Sequence, residues 1–380
     1  MHLWIFIAVL IMVVISTQLI RWLLRESFKY RWVFHSISRR RRSPNNVPEP
    51  INIYLMICDH YQPFWGHVSQ EIAEHRVVTW CREYPRIARE HTDWRGKNPV
   101  HTFFYSEEDY NPQFLDSLSR LSKEGIADVE LLVAHQHDTP ANFKRKIDEF
   151  RDVLFYHHGL LRKNEGGQIN YGFIHGYGAL NNSRPDQRWC GVDNEIPILK
   201  ESGCYADFTY PYASYVTRPS NVNSIYFASD ISGKVGAHQQ GYYAQRDVWS
   251  EDDLLLIQGP LALNWKSRRF LLFPSIENGS LSITSRFTEA RADLWVKTAV
   301  SIPGQANHLF IKLFTHGAID QTIRYLFPEN GLSQLWNYLE SRYNDGENYR
   351  LFYVSAWEMY NTIKELCAGN SVTLNNRKAA

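Results

Sequence analysis

The stretch INIYLMICDH, residues 51–60, decides how the chain is read. Residues 51–58 form a continuous apolar run of strand length, and Asp59 and His60 follow at once. Such a run, bounded by polar residues, reads as a buried strand. Working outward from it, 68–91 reads as a helix, 100–105 as a strand, and 111–124 as a helix ended by Gly125. Residues 128–134 read as a strand and 140–161 as a long amphipathic helix. Further strands are expected at 171–175, 205–209 and 309–315, with helices at 193–202, 288–300 and 332–343. A strand at 351–354 and a helix at 356–367 close the series. Strands alternating with helices imply a mostly parallel sheet. About seven such units predict an α/β fold, a distorted (β/α)7-type parallel barrel. Residues 222–273, with Gly, Ser and short apolar runs, predict antiparallel insertions.

The chain has 380 residues, 44% hydrophobic and 14% aromatic, which is enough for a large core and argues against disorder. Upstream of the barrel, residues 3–20 are uncharged and mostly apolar. At the helical rise these 18 residues span roughly 27 Å, near the hydrocarbon thickness of a bilayer. No Lys or Arg precedes the run and no small-residue cleavage site follows it, so an uncleaved transmembrane helix is expected. The domains expected are a 1–24 anchor, a 25–50 basic juxtamembrane segment and linker, a 51–370 barrel and a 371–380 tail. Of the 41 Lys and Arg, eight fall in residues 1–42, against one of the 40 acids. The remainder holds 33 basic and 39 acidic residues, a net of −6, which does not suit a nucleic-acid binder. All eight basic residues follow the apolar run, which predicts a single-pass protein of a bacterial inner membrane with its large domain cytoplasmic. The Arg run at 39–42 would sit against anionic headgroups.

The five cysteines are scattered, without CxxC spacing. That argues against a disulfide framework and a cysteine zinc site, and each reads as a small core residue.

A parallel barrel carries its active site at the carboxyl ends of its strands. The residues there are Asp59-His60, then Tyr105 to Asp109, His135-Gln136-His137-Asp138, His175, Asp207 and His316-Gly317. Imidazoles and carboxylates together suit a divalent metal, zinc first. The aromatics Tyr61, Phe64, Trp65, Tyr177, Trp189, Tyr210 and Tyr212 cluster near these positions and suit a sugar groove. His157 and His158 are read as packing or surface residues.

These motifs resemble the polysaccharide deacetylase (NodB-homology) superfamily. The apolar strand ending in Asp59-His60 resembles its first motif and His135 to Thr139 its second. Arg184-Pro185 resembles its Arg-Pro element, and Phe314 to Gly317 its closing histidine motif. More narrowly, DHYQPFWG (59–66), HTFFY (101–105), NSRPDQRWCG (182–191), GCYADFT (203–209) and THGA (315–318) are similar to a deacetylase-like subgroup from bacterial surface-polysaccharide loci. The resemblance implies a metal-dependent hydrolase that removes an N-acetyl group from a sugar or glycolipid substrate, in company with polysaccharide-assembly proteins. It implies Asp59, His316 and Arg184 as catalytic residues, and His60, His135, His137 and Asp138 as ligands of a divalent ion such as Zn2+. Tyr61, Trp65, Tyr177, Trp189 and Asp207 are the expected substrate contacts. Two positions depart from the pattern: His60 replaces the second Asp, and Thr139 stands where a second His is usual. Asp59 as ligand rather than base stays open. So do a glycoside hydrolase using Glu107, Glu108 and Asp109 without a metal, and a non-catalytic scaffold.

Overall fold

The computed structural model describes residues 12–14, 16–18, 32 and 50–372, apart from 212–216, 218, 220, 232–233, 270–272 and 299. The chain divides into two compact units, Met1–Arg41 and Arg42–Ala380. The expected membrane anchor and inner-membrane localisation are corrected here. Among the described residues no helix is long and apolar enough to cross a membrane. Of residues 3–20, positions 12–14 and 16–18 are helical, and the others lie outside the described residues.

In chain order the second unit runs β1 (Ile51–Tyr61), α1 (Gln70–Ala88), β2 (His101–Ser106), a 3-10 turn Glu107–Asp109, α2 (Pro112–Lys123), β3 (Ala127–Val133) and α3 (Pro140–Asp152). A π-helical turn Val153–His157, β4 (Arg162–Lys163), β5 (Ile169–His175), α4 (Glu195–Glu201) and β6 (Cys204–Asp207) follow. Then come β7 (Ile225–Ala228), β8 (Tyr242–Tyr243), β9 (Leu254–Ile257), β10 (Ala262–Arg269), β11 (Phe273–Glu277) and β12 (Ser280–Leu281). The unit ends with α5 (Glu289–Thr298), β13 (His308–Thr315), α6 (Asp320–Leu326), α7 (Gly331–Tyr343), β14 (Tyr349–Tyr353) and α8 (Ala356–Cys367).

Helix starts follow local chemistry. Asn111 accepts hydrogen bonds from the N–H groups of Gln113 and Phe114, with Pro112 in the first turn. Thr139 caps α3 in the same way ahead of Pro140, and Ser355 with Glu358 forms a capping box on α8.

The architecture is mixed α/β with a largely parallel central sheet. The parallel strands run in the order β12-β13-β1-β2-β3-β5-β6-β9, and β7 and β8 continue the sheet antiparallel. β1 is central. β13 pairs along one side of it from Asn52 to Asp59, while on the other side β14 takes Ile51 to Leu55 and β2 takes Ile57 to Tyr61. The hydrogen-bonded ladder does not close into a ring among the described residues. The ends nonetheless approach: Gly259, just past β9, lies so close to the Lys312 carbonyl of β13 that a side chain there would collide with it. The antiparallel pairs β7–β9 and β10–β11 fall within 222–273 or at its edge.

Alternate residues of each strand face opposite ways. On one face Ile53, Leu55, Ile57, Phe103, Leu131 and Val133, with Leu309, Ile311 and Leu313 of β13, pack with Trp80 of α1 and Trp336 of α7. Met56, Cys58, Phe104, Leu132, Ile174 and Phe310 pack inside with Met359, Ile363 and Leu366 of α8. Burial on both faces is why the run 51–58 is unbroken rather than alternating. Charged side chains enter this interior too: Glu130 is fully buried and accepts from Tyr205 Oη–H at 2.7 Å, and Lys312 is buried and donates to the Phe208 carbonyl, burial pulling its pKa down.

Candidate functional site at the carboxyl ends of the strands

Three segments build the rim of the site. The turn after β2 sets Glu107, Glu108 and Asp109 side by side. The loop after β1 is fastened to that turn, because Phe64 N–H donates to Asp109 Oδ2 at 2.9 Å. The next residue, Trp65, is 46% exposed and meets the ring of His316 edge-on at 6.0 Å. From the loop after β5, Tyr177 is exposed, and the Glu108 charge is close enough to raise its phenol pKa beyond what burial does. Tyr177 packs on Trp189 at 5.7 Å, and the Arg184 guanidinium lies 4.2 Å from the Trp189 ring centre. Burial lifts Asp109 to about 6, and neighbouring Glu108 acts in the same direction. Burial raises Glu107 as well, opposed by Lys146 at 3.9 Å.

His60 and His316 stack at 4.9 Å. Burial drives His60 well below its ordinary value, and His316 adds to the effect; burial also lowers His316. Both rings are therefore neutral near pH 7.

Asp59 is fully buried and faces away from this rim. Its carboxylate accepts from Gly317 N–H at 2.6 Å and lies 3.0 Å from His101 Nε2. Trp80 Nε1–H donates to the Gly317 carbonyl at 2.8 Å. Tyr61 is fully buried, edge-on to Phe103 at 4.8 Å. Asp207 is also buried, and its carboxylate accepts from Thr209 N–H and Oγ1–H at 3.1 and 2.7 Å. Burial lifts it to about 7, against the pull of Thr209. Arg184 spends its guanidinium on Asp186, at 2.8 and 2.7 Å. Tyr212 lies outside the described residues.

The expected ligand set does not assemble. His60 belongs with His316, and His137 is exposed with a positive φ of 49°. A different set does meet at the ends of β3 and β5: His135, His175, Cys190 and Glu195, all buried, with one donor atom from each within 4.8 Å of the others. Glu195, the first residue of α4, is the hub. It takes His135 Nε2 at 2.8 Å, Cys190 Sγ at 3.2 Å and the Asn181 N–H, and His175 Nε2 stands 3.7 Å away. Asp138 flanks the set, its Oδ2 3.4 Å from His135 Nδ1. Burial takes the His175 pKa down to about 3, so that ring is neutral. Sequence reasoning missed Glu195, which sits at a helix start rather than a strand end, and placed Cys190 among plain core residues.

No family model and no curated protein matches the chain. Among solved structures it is similar to a 4-alpha-glucanotransferase from Thermococcus litoralis, at 14% identity and a TM-score of 0.44. It is similar also to an alpha-mannosidase from Enterococcus faecalis V583, at 10% identity and a TM-score of 0.41. The matches cover 82% and 83% of this chain but only 40% and 29% of those chains.

Proposed function

We propose that the chain is a carbohydrate-active enzyme that cleaves glycosidic bonds at the rim formed by 64–65, 107–109 and 177–189. The observation that carries this reading is the flanking of an acidic turn by exposed aromatic rings, Trp65 on one side and Tyr177 on the other. Flat rings stack on sugar faces, and paired carboxylates serve as acid and base in glycoside hydrolysis. Asp109, held protonated to about pH 6, donates the proton to the departing glycosidic oxygen. Glu108, the exposed member of the turn, is the partner carboxylate that activates water or attacks the sugar. A metal-dependent N-deacetylase fits less well. It needs an ion beside the substrate, and of the residues expected to hold one only His135 and Asp138 meet, His60 stacking on His316 and His137 being exposed.

The test incubates the purified full chain with a panel of oligosaccharides, N-acetylated ones included, and follows reducing ends and free acetate in the same samples. Reducing ends, lost in Glu108→Gln and Asp109→Asn, are expected. Acetate without reducing ends would return the chain to the deacetylases, and neither product would leave a sugar-binding scaffold.

A further inference from the structure

The geometry points to a closed zinc site made by His135, His175, Cys190 and Glu195, one that holds the fold together rather than performing chemistry. Four donors of the types zinc prefers come from four separate places: the residue span just past β3, the end of β5, the 176–194 loop and the start of α4. Tetrahedral ligands about 2.0–2.3 Å from zinc lie roughly 3.3–3.7 Å from one another. The donor atoms already stand within 4.8 Å, so seating an ion takes shifts of about 1 Å, closing the wider gaps and opening the 2.8 Å contact of His135 with Glu195.

The charges balance. Glu195 contributes one negative charge, and Cys190 contributes a second once its thiol proton leaves to solvent as the S–Zn bond forms. Two neutral imidazoles complete the set, so the dication is neutralised where a net buried charge would be costly.

Two further observations point to a ligand. His175 is fully buried, and its Nε2 has no hydrogen-bond partner among the described residues although it is aimed at Glu195. A carboxylate stands near the opposite ring nitrogen of His135, Asp138 Oδ2 at 3.4 Å, without a hydrogen bond between them, and a small turn of either group would give the outer partner that metal-binding histidines usually have. The supporting loops are pressed together. Asp138 N–H donates to the Cys190 carbonyl at 2.9 Å, and any side chain at Gly191 would stand 2.7 Å from Asp138 N. His175 has one adjustment to make. Tyr177 and Ala179 N–H groups face its Nδ1 at 3.3 and 3.4 Å, which places the ring proton on Nε2. Zinc binding moves that proton to Nδ1 and loosens these two long contacts.

All four ligands belong to the protein and all are buried, so the tetrahedron leaves no position for water or substrate. Structural zinc sites are closed in this way, whereas catalytic ones keep a position open. The ion would instead clamp the loop that carries Tyr177, Arg184 and Trp189.

The test needs no substrate, so its outcome is separate from that of the glycosidic reading. The full chain, purified and then dialysed against zinc, is measured by elemental analysis and thermal melting, and a cobalt-exchanged sample by absorbance. One zinc per chain is expected, with a melting point raised by zinc and lowered by chelator. The cobalt form should show a thiolate-to-metal band that Cys190→Ser abolishes. His135→Ala should lose tenfold or more of the occupancy. The wild-type measurements stand even where a variant fails to fold. Substoichiometric zinc after dialysis, a melting point indifferent to zinc, or a cobalt spectrum without the thiolate band would each overturn the site.

Discussion

The Asp59 carboxylate takes the Gly317 N–H at 2.6 Å, tying the end of β1 to the turn that follows β13. That turn also carries His316, so the bond sets where the rim histidine stands. Gly317 is required for the approach. A methyl group there would stand 2.5 Å from the Trp80 ring and 2.8 Å from the Asp59 carboxyl carbon. Gly317→Ala is therefore expected to lose about 3 kcal/mol, the upper range for overpacking a tight core. Urea denaturation checks it, and an unchanged midpoint would show that the turn yields easily.

Asp59 itself separates two roles. Asp59 is buried and bonded to His101 and Gly317, and removing one partner of such a pair costs about 3–5 kcal/mol. Asp59→Ala should fall in that range, while Asp59→Asn, which keeps the shape, should lose less and turn over substrate normally per folded molecule. If Asp59→Asn folds like the wild type yet is inactive, the carboxylate is a catalytic base after all.

Asp109 gives the activity a pH signature. Its folded pKa is raised to about 6 from an ordinary 3.8. The protonated form is thus favoured by the fold, and the stability it contributes is complete below about 4 and lost as pH rises through 6. An acid catalyst follows the same sign, so turnover should decline as pH rises past about 6. Asp109→Asn should cut kcat by about 10²–10⁴-fold and remove that limb. A pH profile that keeps its limb in the variant would assign it to another group.

Trp65 and Tyr177 should act on binding. Losing one stacked ring removes about 1.4 kcal/mol, or tenfold in affinity. Trp65→Ala and Tyr177→Ala are each expected to raise KM about tenfold with kcat little changed. Both rings are exposed, so the melting temperature should hold. A fall in kcat at constant KM would place these rings in the chemistry instead.

Much of the scaffold was legible because its signals are local. Apolar runs bounded by polar residues marked β1, β3 and β13, and the helices read at 111–124, 140–161 and 356–367 begin where the structure finds Asn111, Thr139 and Ser355 as caps. α6 went unread, although α4, equally short, was read at 193–202. The strand-end rule pointed to the carboxyl ends of the strands but could not tell which face a side chain takes. Asp59 and His60 are neighbours, yet the alternation of a strand sends one toward Trp80 and the other toward His316. The four-donor cluster was hidden for a different reason. Its members span sixty positions, from His135 to Glu195, and motif spacing detects only ligands held on one turn or hairpin.

The pairing of β1 has a consequence for synthesis. Its partners along one whole side and half of the other are β13 and β14, which lie roughly 250 residues or more downstream. At about 5–20 residues per second, the apolar segment 51–58 spends on the order of 10–50 s outside the ribosome before its neighbours exist. Until then it is an unpaired strand with two sticky faces, the kind of segment that chaperones hold and that aggregates seed from. The yield of folded chain should accordingly depend on temperature and chaperone supply more than on the stability of the finished domain.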